Sequence, residues 1–129
     1  MSTAQVHTIF VSVAAFCEPH LQLTVHQLFA KAARPNRIFV GLVDQSEELN
    51  PKWLFDFPAR KHINYVGLSP VDSRGVSWAR SIAFSLYNDQ TYLLQIDSHT
   101  LFDQGWDETL IQQHQLLSKT HAKPLISTY

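Results

Sequence analysis

The stretch Tyr92-Leu93-Leu94-Gln95-Ile96-Asp97-Ser98-His99 constrains this chain more than any other. An apolar run of strand character ends in a carboxylate and an imidazole two residues apart, so an extended backbone turns Asp97 and His99 to one side and Ser98 away. A hard oxygen and an imidazole nitrogen suit a manganese ion, and also zinc or iron, whereas magnesium prefers more oxygen. Two ligands do not close a coordination shell, and water, a phosphate-bearing ligand or residues from elsewhere must complete it. A buried strand that delivers such a pair to its C-terminal end points to an α/β sheet, in which ligands bind beyond the strand C-termini.

The rest of the pattern agrees with alternating strands and helices. Thr8 to Phe16 is a nearly continuous apolar, β-rich run, as in a strand buried on both faces of a parallel sheet. Leu21, Val25, Leu28, Phe29 and Ala32 recur at helical spacing, with Pro19 near the start and Arg34-Pro35-Asn36 at the end. Arg37 to Val43 reads as a second strand with Asp44 at its tip, closing a right-handed βαβ unit. Gln45 to Lys61 is polar and Pro-punctuated and predicts irregular chain with one helical turn. His62 to Leu68 predicts a third strand, and Ser73 to Tyr87 a helix with Val76, Ala79, Ala83, Leu86 and Tyr87 on one stripe. After the Asp97/His99 strand, Trp106, Leu110, Ile111, His114 and Leu117 mark a last helix, and Lys123 to Thr128 predicts a short final strand.

At 129 residues with 45% hydrophobic content, the chain is expected to form a single domain over residues 1–129. A formal net charge of -1 and the lack of any Lys/Arg block argue against nucleic acid or an anionic membrane as the main partner. The one cysteine, Cys17, permits no internal disulfide, and the apolar run Ile9 to Cys17 is too short to span a bilayer. The chain therefore reads as soluble and cytoplasmic.

Several other residues are candidates for the same crevice. Asp44 can accept hydrogen bonds from a ribose hydroxyl or a base N–H, or close an Asx turn over Gln45-Ser46. Arg74 and Arg80 flank the predicted start of a helix, where free amides and the dipole already favour a diphosphate. Glu18 follows the first strand and either reaches the crevice or favours the N-terminus of the next helix. Trp53 and Trp78 could stack on a sugar or base, although tryptophan at helical spacing is more often core, and Trp106 is assigned to packing. His7, His20, His26, His62, His114 and His121 show no mutual ligand spacing and are read as structural or surface. Cys17 is read as a small buried hydrophobe.

Taken in order, Val11-Ser12-Val13-Ala14-Ala15-Phe16, Val43-Asp44, Gly75-Val76-Ser77-Trp78-Ala79-Arg80, Leu94-Gln95-Ile96-Asp97-Ser98-His99 and Gly105-Trp106-Asp107 resemble the nucleotide-sugar glycosyltransferases of the GT-A fold. The resemblance runs from Ile9 to Tyr129 and is strongest to the GlcNAc-transferase family that modifies hydroxyproline on Skp1-type proteins. The mucin-type polypeptide GalNAc-transferases are similar in the same places. This likeness implies a Rossmann-like, mostly parallel sheet flanked by helices and cut short after the metal-motif strand and its helix. It also implies Asp97 and His99 on manganese, with Asp97 meeting the metal or the ribose, Asp44 on the uridine, Arg80 on the diphosphate side, and a modest role for Glu18.

The function so implied is transfer of a sugar, UDP-GlcNAc by preference, to a protein or glycan acceptor. Members of the family continue well past the point where this sequence stops, so it corresponds to a donor-binding half. A non-catalytic nucleotide-binding module of the same fold is the alternative, and a small metal-dependent hydrolase would need a denser carboxylate and histidine shell. Sheet edges left exposed would favour homo-oligomers.

Overall fold

The computed structural model describes residues 7–127. Four strands form one wholly parallel sheet in the order β3-β2-β1-β4, with β1 Ile9–Phe16, β2 Ile38–Gln45, β3 Ile63–Leu68 and β4 Tyr92–Asp97. Helices α1 Leu21–Ala30, α2 Lys52–Phe55, α3 Val76–Ser85 and α4 Trp106–Ser118 lie between and after them. The α/β architecture expected from the alternation is present.

β1 is central because both of its faces are apolar. Ile9, Val11, Val13 and Ala15 enter the larger core with Val25 and Leu28 of α1 and with Trp106 and Ile111 of α4. Each Val, Leu or Ile side chain among them stabilises the fold by roughly 1.5–3 kcal/mol when fully buried. On the opposite face, α3 packs Ala79 and Ala83 against Val43 of β2. That approach needs Gly41: a Cβ there would stand 2.5 Å from Cζ of Phe10 and 3.0 Å from the Ala83 carbonyl.

α3 reaches β1 and β2 but leaves β4 uncovered on its side. Residues therefore alternate along β4, with Tyr92, Leu94 and Ile96 half-buried and Leu93, Gln95 and Asp97 exposed. The strand order advances outward from β1 to β3 and then jumps back across β1 to β4. This is the topological switch at which open α/β sheets bind ligands.

Four sequence expectations change. Residues 123–127 form no strand, and Leu125 is 91% exposed, because the apolar run there finds no neighbour to pair with; Thr128 lies outside the described residues. The helix expected from Ser73 begins only at Val76, since a 3-10 turn at Pro70–Asp72 and Gly75 occupy the approach, and it ends at Ser85 short of Tyr87. Arg37 ends a 3-10 turn instead of starting β2, and its side chain is buried. Cys17 is exposed, with a left-handed φ of 48° that turns the chain sharply after β1.

Candidate functional site

The loops that leave β1 and β4 meet at the C-terminal edge of the sheet. Asp97 pairs with Arg80 of α3, Nη2 to Oδ1 at 3.5 Å, the carboxylate exposed and the arginine half-buried. β4 stops at Asp97, so strand alternation does not carry through to His99, and the two predicted ligands turn to different partners. Nδ1 of His99 lies 3.1 Å from Oε1 of Glu18.

Ser98, expected to point away, is buried and donates from Oγ to the same Glu18 Oε1 at 3.4 Å. Its carbonyl accepts from the buried Thr24 hydroxyl at 2.8 Å. Glu18 Oε2 accepts from the His20 amide at 3.0 Å, one residue before α1. That amide bond is the main influence holding the Glu18 carboxyl below its usual range, with burial opposing and the His99 ring assisting.

Asp44 lies within β2 near its end, only 3% exposed, and forms no Asx turn through Ser46. Its Oδ2 accepts from the Tyr65 hydroxyl at 2.7 Å, and that hydroxyl in turn accepts from the Asn50 amide at 3.1 Å. Burial, followed by the bond to Asp44, pushes the Tyr65 phenol up to about 12. Gln45 ties β2 to β1 at the same edge, donating from Nε2 to the Ala15 carbonyl at 3.0 Å while its buried Oε1 has no partner. Arg74 is exposed in the turn before α3 and is not brought to the Asp97/His99 pair.

Sequence reasoning missed Thr24, Tyr65 and Gln45 as members of this edge. Tyr65 carried a signal in hindsight: parallel pairing sets Leu42 opposite Tyr65 and Asp44 opposite Gly67, so Tyr65 shares a face with Asp44 and faces no bulky neighbour there. Trp53 packs partly buried on the larger core and Trp78 on the smaller, away from a stacking role.

The motif Gly105-Trp106-Asp107 is a clasp at the other end of α1. Gly105 has a left-handed φ of 72°, caps α4 and donates its amide to the Lys31 carbonyl at 2.6 Å. Trp106 Nε1 donates to the Leu28 carbonyl at 2.9 Å. Asp107 accepts from the Ala33 and Arg34 amides and from Arg37. The eight residues 98–105 are thus pinned at both ends to α1, beside Thr24 and beside Lys31.

Among the described residues no group of three or more His, Cys, Asp or Glu side chains could hold a metal ion. What the edge offers is narrower: an exposed Asp97 carboxylate, and an exposed His99 ring whose Nδ1 is engaged and whose Nε2 is not. The two donors stand apart, each engaged with its own partner, so an ion would have to draw them together and take most of its shell from water and phosphate oxygens. Two apolar concavities lie elsewhere, about 550 Å³ beside His26, Phe57 and His62, and about 780 Å³ along the open side of β4 and α4.

A wholly parallel four-stranded sheet with helices packed on it, its strand order switching at β1, defines an α/β domain of the doubly wound class. The chain belongs to the family Glycosyltransferase (GlcNAc), which matches residues 8–56 and 55–129. No curated protein matches the sequence significantly. Among solved structures it is similar to TarS 1-349 of S. aureus, with a TM-score of 0.65 and 19% identity over 88% of this chain and 33% of that one. The likeness at that identity is one of fold, and this chain spans about a third of the TarS chain. Among the described residues no helix is long and apolar enough to cross a membrane.

Proposed function

We propose that this chain binds the nucleotide-sugar donor of a glycosyltransferase, a UDP-sugar and by preference UDP-GlcNAc, for transfer to a hydroxyl of a protein or glycan acceptor. The observation that carries the reading is the contact of Glu18 with Ser98 and His99 between the loops after β1 and β4, beside the Arg80–Asp97 pair, in a chain matched almost throughout by a GlcNAc glycosyltransferase family. Asp44, fixed by Tyr65, presents an acceptor for a uracil N–H or a ribose hydroxyl. Arg80, paired with Asp97 at 3.5 Å, would meet the diphosphate if Asp97 served the metal, and releasing a solvent-accessible pair of this kind costs at most about 1 kcal/mol.

Asp97 and His99 would hold a divalent ion, manganese being best matched to a mixed oxygen and nitrogen set. When bound, such an ion supplies Lewis-acid stabilisation of the charge that grows on the departing nucleoside diphosphate. Arg80 lends a second positive charge on the same side, and the buried Asp44 orients the nucleoside.

The test is calorimetric titration of UDP and of UDP-GlcNAc into the purified chain, with manganese and then with EDTA. Binding that requires manganese and is lost in His99→Ala supports the donor site. Equal affinity in manganese and EDTA excludes the Asp97/His99 assignment. UDP release from UDP-GlcNAc would separate a transferase from a module that binds without turnover.

A further inference from the structure

The geometry points to Glu18 as the residue that positions His99, acting through its Nδ1 so that Nε2 is the free coordinating atom. The inference rests on the donor-site reading for what Nε2 would meet, but its geometry stands without it.

Glu18 is touched from both loops of the switch point. Oε2 accepts from the His20 amide, while Oε1 accepts from Ser98 Oγ and faces His99 Nδ1 at 3.1 Å. Its side chain is 12% exposed and that of His99 63%, so the carboxylate is a fixed base on which the ring stands out into solvent. Both oxygens are committed to chain donors, which suits a supporting residue and not a ligand.

An ionised carboxylate only accepts. The neutral imidazole facing it must therefore carry its proton on Nδ1, which leaves the Nε2 lone pair outward. In solution the free side chain has no such constraint. The backbone under the ring is held as well, because the Ser98 carbonyl is bonded to buried Thr24. Glu18 thus fixes tautomer and direction together, as the outer carboxylate does behind a metal-ligating histidine.

Long-range 1H–15N correlation of the histidine rings, recorded at mildly alkaline pH, reads this directly in the 129-residue chain without metal. The His99 signals are assigned by their loss in His99→Gln. The wild-type chain should show His99 protonated on Nδ1. Glu18→Ala should move it toward the Nε2-protonated form, and Glu18→Gln, whose amide oxygen still accepts, should largely restore the wild-type pattern. An Nε2-protonated His99 in the wild-type chain overturns the proposal whether or not any variant folds. So does an unchanged tautomer in a folded Glu18→Ala chain.

Manganese titration in the presence of UDP gives the second reading. Glu18→Ala should weaken manganese binding roughly 10–100-fold, with Glu18→Gln closer to wild type. If the tautomer responds as expected while the wild-type chain binds no manganese, the positioning role is upheld and the donor-site reading falls.

Discussion

Asp107 Oδ2 lies 3.0 Å from Arg37 Nη2, and the two side chains are 0% and 6% exposed. A charge pair so far from water is tolerable only when every partner is present, and here the Ala33 and Arg34 amides complete the carboxylate while Glu108 takes a second guanidinium contact at 2.9 Å. Burial by itself would raise the Asp107 carboxyl, but those amides and Arg37 outweigh it and hold it below 3.8. Asp107→Ala should cost about 3–5 kcal/mol by leaving a buried guanidinium without its main partner. Urea denaturation measures this, and a loss below about 1 kcal/mol would mean the clasp is not a structural element.

The same pair sets an acid limit. A carboxyl lowered in the folded state contributes stability that is complete above its unfolded value of 3.8 and disappears as pH falls through the folded one. The wild-type urea midpoint should therefore drop more steeply below about pH 4 than that of Asp107→Asn, which has no such carboxylate to protonate.

Tyr65→Phe should leave the fold intact at a cost of about 1 kcal/mol while releasing Asp44 from its anchor. UDP affinity should fall, because an unrestrained carboxylate must be ordered at the moment of binding. The phenol gives an independent check: with its value pushed up to about 12, one tyrosine should ionise late in ultraviolet titration, and that step should vanish in the variant. The sign follows from the raised value, since the contribution of the Tyr65 bond persists up to the unfolded value of 10.0 and is lost between there and about 12.

His99→Ala should abolish the manganese dependence of UDP binding yet change stability by no more than about 0.5 kcal/mol, because the ring is largely exposed. Thermal melts paired with calorimetry distinguish loss of a ligand from loss of the fold.

Gly41→Ala should destabilise by roughly 1–3 kcal/mol. Its added methyl group would push the Phe10 ring, which already packs edge-to-face with Tyr87, and press the backbone of α3 at Ala83. Urea midpoints for this variant and wild type decide the matter.

The core strands were legible because β1 and β2 are apolar on both faces, and a run such as Ile9 to Phe16 has few other places to go. The places of Asp44 and Asp97 at strand ends were legible because a strand end is a local signal, whereas the expected turning of Asp97 and His99 to one side was not met, because β4 stops at Asp97. The long-range partners were not legible. Glu18 meets His99 across 81 residues, Thr24 meets Ser98 across 74, and Arg37 leaves the expected strand for a carboxylate 70 residues on. Periodicity carries no information at such separations. It also overstated the C-terminal run at Leu125-Ile126, where apolar character without a neighbouring strand leaves the side chains exposed or half-buried.

The pairing of β1 with β4 joins Ile9 to Tyr92, and between them lie β2, β3 and three crossover connections. Contacts of such long sequence separation form slowly, since the closure entropy is met before the pairing rewards it. During synthesis the central strand must leave one edge waiting until the fourth strand has emerged. The crevice is absent over that interval, because Glu18 is made early and His99 late. A nascent chain thus completes the Glu18–His99 contact only once β4 and the turn after it have emerged, and any ligand of that edge would trap the completed sheet by mass action.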